Sequence, residues 1–197
     1  MKNLIARITD LILVISITAC AHGSGTPQNT NKWGQQVVFH SFEFDARRDS
    51  KDIEVLDFKY ATATHIMDRD SPDHRYNGVG AQYTGVTGVM PVGETLYVKW
   101  KIKSTDEVIE KSIDLKPILP ASMKDKKLYF ILEKQDIYIY TITHKPVREN
   151  YTPAEWQKII SSLLGTRLDK ALRYYADRSV IQIYPTREVI FPYVPKK

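Results

Sequence analysis

The sequence predicts an α+β protein: mainly antiparallel β-sheet, with a C-terminal helical segment packed against it. Three observations predict this class. Short β-branched and aromatic runs, separated by turn residues, fill positions 36 to 143. One of them, Thr95 to Lys103, alternates strictly, with Leu96, Val98, Trp100 and Ile102 on one face and Tyr97, Lys99, Lys101 and Lys103 on the other. After Thr152 the apolar spacing changes to i, i+3, i+4, i+7 and i+8, the stripe of a helix.

The chain begins with Lys2 and Arg7, then an apolar run from Leu11 to Ile17, then Thr18, Ala19 and Cys20. The run is too short to cross a bilayer, which needs about 20 apolar residues. It fits the apolar core of a secretory signal, roughly 7–15 residues long and followed by small residues. "ITAC" resembles the lipobox of bacterial lipoproteins, which implies cleavage before Cys20 and acylation of its thiol; Ile17 stands where that pattern most often has Leu. Each buried acyl methylene contributes about 0.8 kcal/mol, and two or more chains anchor stably where one holds marginally. Ala21 follows the cysteine in place of the Asp of the inner-membrane retention signal, which implies the outer membrane, facing the periplasm. Cys20 is the only cysteine, so no disulfide stabilises the folded part.

The expected organisation is a lipoprotein signal peptide at 1–19, a flexible tether at 20–35 and a single periplasmic α+β domain at 36–197. The tether reading rests on the Gly, Ser, Thr, Pro, Asn and Gln content of positions 21 to 35. Lys2, Arg7 and Asp10 leave with the signal, so the net charge falls by one from +5. Basic residues are scattered among acidic ones, which argues against nucleic acid as a partner. The short basic segments at Lys124 to Lys127 and at the C-terminus are weak signals for anionic lipid or an acidic partner.

Along the domain, "QQVVFHSFEF" and "IEVLDFKY" read as strands, with "DARRDSKD" between them as a solvated turn. "TLYVKWKIK", the turn "STDE" and "VIEKSIDL" form one hairpin, the second strand placing Ile109, Ile113 and Leu115 on one face. "KLYFILE", the turn "KQD" and "IYIYTI" form another, apolar or tyrosine-rich on both faces and therefore central. Thr152 and Glu155 form a capping box, with Pro153 at the first helical position. Trp156, Ile159, Ile160, Leu163 and Leu164 make the stripe, and Gly165 ends it. A second segment carries Leu168, Ala171, Leu172 and Tyr175. "SVIQIYP" is a closing strand, and the residues from Pro185 onward are a proline-limited surface tail.

Candidate chemistry is sparse. No G-x-S-x-G elbow is present, and the thiol is expected to be occupied by lipid, so neither common nucleophile arrangement is visible. His65, Asp68, Asp70, Asp73 and His74 are metal-competent residue types, but Arg69 and Arg75 within the same run oppose a cation, and Asp-Ser-Pro-Asp is turn chemistry. The glycines at 78, 80, 85 and 88 match no phosphate-binding spacing and fit bulges and bends in a sheet. No metal and no cofactor is expected. Tyrosine is favoured at interfaces, and Tyr138 and Tyr140, on one strand face, form a candidate patch.

Pro91-Val92-Gly93, Tyr97 to Trp100, Asp114 to Pro120 and Leu128 to Tyr140 together resemble segments of small proteobacterial lipoproteins encoded beside type VI secretion phospholipase effectors. The resemblance spans about a third of the mature chain. It implies an immunity lipoprotein, not an enzyme: one that binds a phospholipase effector arriving in the periplasm and protects the cell's own membranes. Under that reading the partners are the effector and, through the lipid anchor, the membrane. The loop residues Asp68, Arg69, Asp70, Asp73, His74 and Arg75 are the expected contacts, their mixed charges suiting a steered encounter. A structural or assembly lipoprotein of the cell envelope is the alternative.

Overall fold

The computed structural model describes residues 30, 36–62, 66–68, 82–146, 152, 154–155, 157–158, 161, 173–175 and 177–191. Its strands are β1 (Val37–Asp45), β2 (Ile53–Ala61), β3 (Ile66–Asp68), β4 (Tyr83–Pro91), β5 (Thr95–Ile102), β6 (Val108–Asp114), β7 (Lys126–Glu133), β8 (Asp136–Thr143), β9 (Val180–Tyr184) and β10 (Glu188–Phe191), with a one-turn helix, α1 (Ala46–Asp49), after β1. They form a six-stranded sheet in the order β10-β9-β8-β7-β1-β4 and a four-stranded sheet in the order β3-β2-β5-β6. The described residues are thus mostly strand with little helix.

Alternation sorts side chains to the space between the sheets. On β5, Leu96, Val98 and Trp100 are fully buried and Ile102 nearly so, as the period predicts. On β2 the apolar phase changes midway, from Ile53 and Val55 to Phe58 and Tyr60. The pairing explains the change: Val55 faces Trp100 but Asp57 faces Lys99, so Leu56 is the extra residue of a β-bulge that returns the next apolar residues to the same side. Both predicted hairpins form, β5 with β6 and β7 with β8. The β7–β8 turn places Lys134 at a left-handed φ of 52°, and its carbonyl accepts the Trp100 indole N–H at 2.8 Å.

β1 joins the sheets. Phe42 stacks on Tyr60 at 4.6 Å and lies 6.0 Å from Phe58 and 5.8 Å from Phe130. Phe44 lies 4.5 Å from Phe130 and 5.2 Å from Phe58. β1 and β7 belong to one sheet and β2 to the other, so these rings bind the two sheets through one core. β1 pairs antiparallel with β4 but parallel with β7, His40 opposite Lys126. That parallel pairing is unsignalled in the sequence because five strands intervene.

Three expectations need correction. The segment Asp45–Asp52 is not a solvated turn. Ala46 is buried, the Asp49 side chain is 1% exposed, and Ser50 Oγ donates to the Leu132 carbonyl at 2.6 Å. The residues after Pro185 are not only a surface tail, since Glu188–Phe191 pairs with β9 as an edge strand. Tyr138 and Tyr140 are not an exposed patch. Tyr140 is fully buried, and both belong to a second apolar cluster on the outer face of the larger sheet, with Tyr129, Ile131, Ile142, Tyr175 and Val180.

The capping box forms: Glu155 N–H donates to Thr152 Oγ1 at 3.3 Å, and Thr152 N–H donates to Glu155 Oε2 at 2.8 Å. The apolar stripe behind it lies outside the described residues, so the expected packed helix does too. The signal at 1–19 and nearly all of the tether at 20–35 lie outside them as well; Thr30 forms an isolated bridge with Gln36.

Gly93 shows why a glycine ends the β4–β5 turn. A Cβ there would stand 2.3 to 2.7 Å from three ring atoms of Tyr60, whose ring is held by its stack on Phe42. Gly93→Ala is therefore expected to destabilise by about 2–3 kcal/mol, an overpacking cost. Adding Tyr60→Leu should remove part of that penalty, read as non-additivity of urea midpoints in a double-mutant cycle.

Candidate functional site

Of the sequence-predicted contact residues, the structure places only Asp68, at the end of β3 opposite Lys59. Arg69, Asp70, Asp73, His74 and Arg75 lie outside the described residues, as do His65 and Cys20. Among the described residues, no group of three or more His, Cys, Asp or Glu side chains converges on a metal-sized point.

The residues that do converge frame a groove at one end of the sandwich. Its volume is about 400 Å³, and it is lined by Gln36, Val38, Thr62, Pro91, Val92, Glu94, Ala121, Ser122 and Met123. Gln36 precedes β1 and Thr62 follows β2, so the groove opens where the first strand of each sheet meets the β4–β5 turn. Asp114 Oδ1 accepts the Lys116 N–H at 3.0 Å, and the Leu119 N–H reaches the Leu115 carbonyl at 2.9 Å. These bonds form the tight turn that precedes Ala121–Met123. Leu115, fully buried, plugs that turn into the core.

Beneath the groove runs a buried chain of hydrogen bonds. The Gly93 N–H bonds to the Tyr60 hydroxyl. His40 Nδ1 lies 3.0 Å from the Val38 carbonyl, and Nε2 lies 3.1 Å from Tyr60 Oη. A carbonyl only accepts, so Nδ1 carries the proton and Nε2 accepts from the tyrosine. Burial pushes the His40 imidazole below its ordinary value of 6.5, partly opposed by the Val38 carbonyl. The ring is a neutral structural tie between both strands of the groove floor.

A second histidine sits on the outer face of the larger sheet. His144 Nε2 lies 2.9 Å from Ser41 Oγ and 3.1 Å from the Lys126 carbonyl, and Ser41 Oγ lies 2.7 Å from Thr87 Oγ1. The pair resembles a nucleophile and its base, but the carbonyl decides otherwise. Nε2 must donate to it, so no lone pair remains there to take the Ser41 proton. Ser41, 1% exposed, is also closed to substrate. Burial, with the nearby charges of Lys127 and Arg178, lowers the His144 pKa against the pull of the Lys126 carbonyl.

Farther along the same face, Lys127 pairs with Glu43 and lies 2.9 Å from Tyr175 Oη, which in turn donates to Glu43 at 3.2 Å. Asp49 accepts from Arg48 Nε at 2.7 Å and from the Tyr129 hydroxyl. Two cations thus neutralise two carboxylates under the Arg173–Tyr175 turn. The set fastens that turn to the sheet. No signal in the sequence links Glu43, Lys127 and Tyr175, which are far apart in the chain.

No protein-family model, curated protein or solved structure matches this chain.

Two outcomes follow. Both imidazoles are depressed in the native state, so their stabilising effect is complete above pH 6.5 and is lost as acid protonates the unfolded chain first. Urea midpoints should fall between neutral pH and about pH 5, and His40→Gln should flatten that fall; a parallel curve would contradict it. Lys127→Met leaves Glu43 half-buried without its cation and should cost about 2 kcal/mol or more. Lys99→Met, which breaks an exposed 3.5 Å pair with Glu110, should stay within about 0.5 kcal/mol.

Proposed function

We propose that this chain is a lipid-anchored binding protein of the outer membrane, facing the periplasm, that neutralises a secreted phospholipase by contact and not by turnover. Cys20 carries the anchor, residues 1–19 are removed, and the C-terminal segment after Thr152 packs as a helix on the sheet. The residues Asp68, Arg69, Asp70, Asp73, His74 and Arg75 steer the encounter.

One observation supports the reading above the others. Pro91 and Val92, in a segment that resembles immunity lipoproteins, line the groove together with Gln36, where the domain begins, and the resembling segment Asp114 to Pro120 leads into its Ala121–Met123 wall. The groove therefore stands at the tethered end, close to where a lipase works. The remaining resembling segments are core: Val98, Trp100, Leu128, Phe130 and Ile139 are all 0–1% exposed. They hold the groove walls in place. A wall built on a packed sandwich is rigid, which limits the entropy lost when a partner docks.

The test is survival of cells facing a sibling that secretes the effector. Cys20→Ser should move the protein from the membrane to the soluble periplasmic fraction and lower protection. Ser122→Arg, exposed in the groove wall, should abolish protection while leaving the protein folded and anchored. Survival unchanged after deletion of the whole gene would overturn the immunity reading and favour an envelope-assembly role.

A further inference from the structure

Five large apolar side chains stand exposed among the described residues: Phe39, Val89, Val108, Tyr174 and Val189. Of these, Phe39 and Val89 alone are register partners. Phe39 on β1 lies directly opposite Val89 on β4, and the two are 41% and 62% exposed. Direct partners in an antiparallel pair project from the same face. Here it is the outer face of the larger sheet, since the even-numbered His40, Phe42 and Met90 of the same strands are buried.

Two cations flank the pair. The Asp125 N–H donates to the Phe39 carbonyl at 2.8 Å, and the His144 N–H donates to the Asp125 carbonyl at 2.9 Å. These bonds bring Lys124 and Lys145, the chain neighbours of Asp125 and His144, to the rim of the apolar pair. Both lysines are exposed. The His144 ring, 5.4 Å from Phe39, closes that side. Lys126 adds a third cation, donating to the Ser122 carbonyl at 2.8 Å, against the single carboxylate of Asp125. An apolar centre rimmed by lysines suits an anionic bilayer surface: the apolar groups enter the headgroup boundary and the ammoniums meet lipid phosphates.

Position selects a membrane over an acidic protein. Thr30 pairs with Gln36 in an isolated antiparallel bridge, so the chain enters the domain beside the start of β1. Thr30 stands ten positions after Cys20, and a Gly/Ser-rich linker of that length has an end-to-end distance of about 16–19 Å. A bilayer that holds Cys20 is therefore within reach of Phe39, the third residue of β1.

We propose that the outer face around Phe39 and Val89, with Lys124 and Lys145, rests on the anionic membrane surface in which the chain is anchored. The inference depends on the anchoring proposed above. A short tether holds the domain at a local concentration in the millimolar range, so a contact too weak to bind a free domain persists in an anchored one. Docking keeps the end of the sandwich that carries the groove at the bilayer.

The test uses the full chain, processed in cells and reconstituted into vesicles of phosphatidylglycerol and phosphatidylcholine. Val89→Cys carries an environment-sensitive dye. Val108→Cys, exposed on the smaller sheet at the end away from the groove, is the control. Quenching by spin-labelled lipid should be several-fold stronger at position 89 than at position 108. Lys124→Glu together with Lys145→Glu should bring it down to the control level while the chain still sediments with the vesicles, and vesicles of phosphatidylcholine alone should do the same. Equal quenching at the two positions in a sedimenting chain, or quenching that ignores the paired substitution, overturns the docking and leaves the anchor standing. A chain that stays in the supernatant, or an unsubstituted chain that takes up dye at Cys20, overturns the anchor and this inference with it.

Discussion

The stack of Phe42 on Tyr60 is the interaction on which the other features rest. Phe42 lies on β1 in the larger sheet and Tyr60 on β2 in the smaller one, and the flanking rings of Phe44, Phe58 and Phe130 make the contact a layer. Aromatic pairs at these separations contribute about 0.5–1.5 kcal/mol each beyond the area they bury. The same Tyr60 ring bars any side chain at Gly93, and its hydroxyl ties His40 to the β4–β5 turn. The groove walls therefore inherit their positions from the centre of the core. No disulfide shares that task, because the chain has a single cysteine.

β1 performs three jobs at once, and alternation is what separates them. Its even-numbered side chains, His40, Phe42 and Phe44, face the core. Its odd-numbered ones, Ser41 and Glu43, meet His144 and Lys127 on the outer face. Its two edges pair in opposite senses, parallel to β7 and antiparallel to β4. A one-residue slip would exchange the first two sets, burying Glu43 and exposing Phe42, and that penalty pins the register. The polar set on the outer face is close to charge-neutral, with Arg48 and Lys127 against Asp49 and Glu43. It orders the Arg173–Tyr175 turn without placing an unpaired charge beneath it.

The groove and the β4 edge are separate surfaces. The groove sits between the sheets at the end where β1 begins; the edge runs along the side of the larger sheet. A partner seated in the groove would touch neither the β4 edge nor the polar set on the outer face, so the binding proposed for the groove makes no demand on either.

Local pattern alone determined much of this protein. The period-two residues of β5, the paired hairpins and the Thr152–Glu155 capping box are each set by neighbours a few positions apart, and each is visible in the chain as written. Tertiary structure alone decided the parallel β1–β7 pairing, the burial of Asp49, the recruitment of Glu188–Phe191 as an edge strand and the meeting of Gln36, Val92 and Met123 around one groove. Those depend on which distant segments meet, and composition and periodicity carry no record of that. Tyr138 and Tyr140 illustrate the division: alternation correctly put them on one face, but only the cluster packed around that face made it a core instead of a surface.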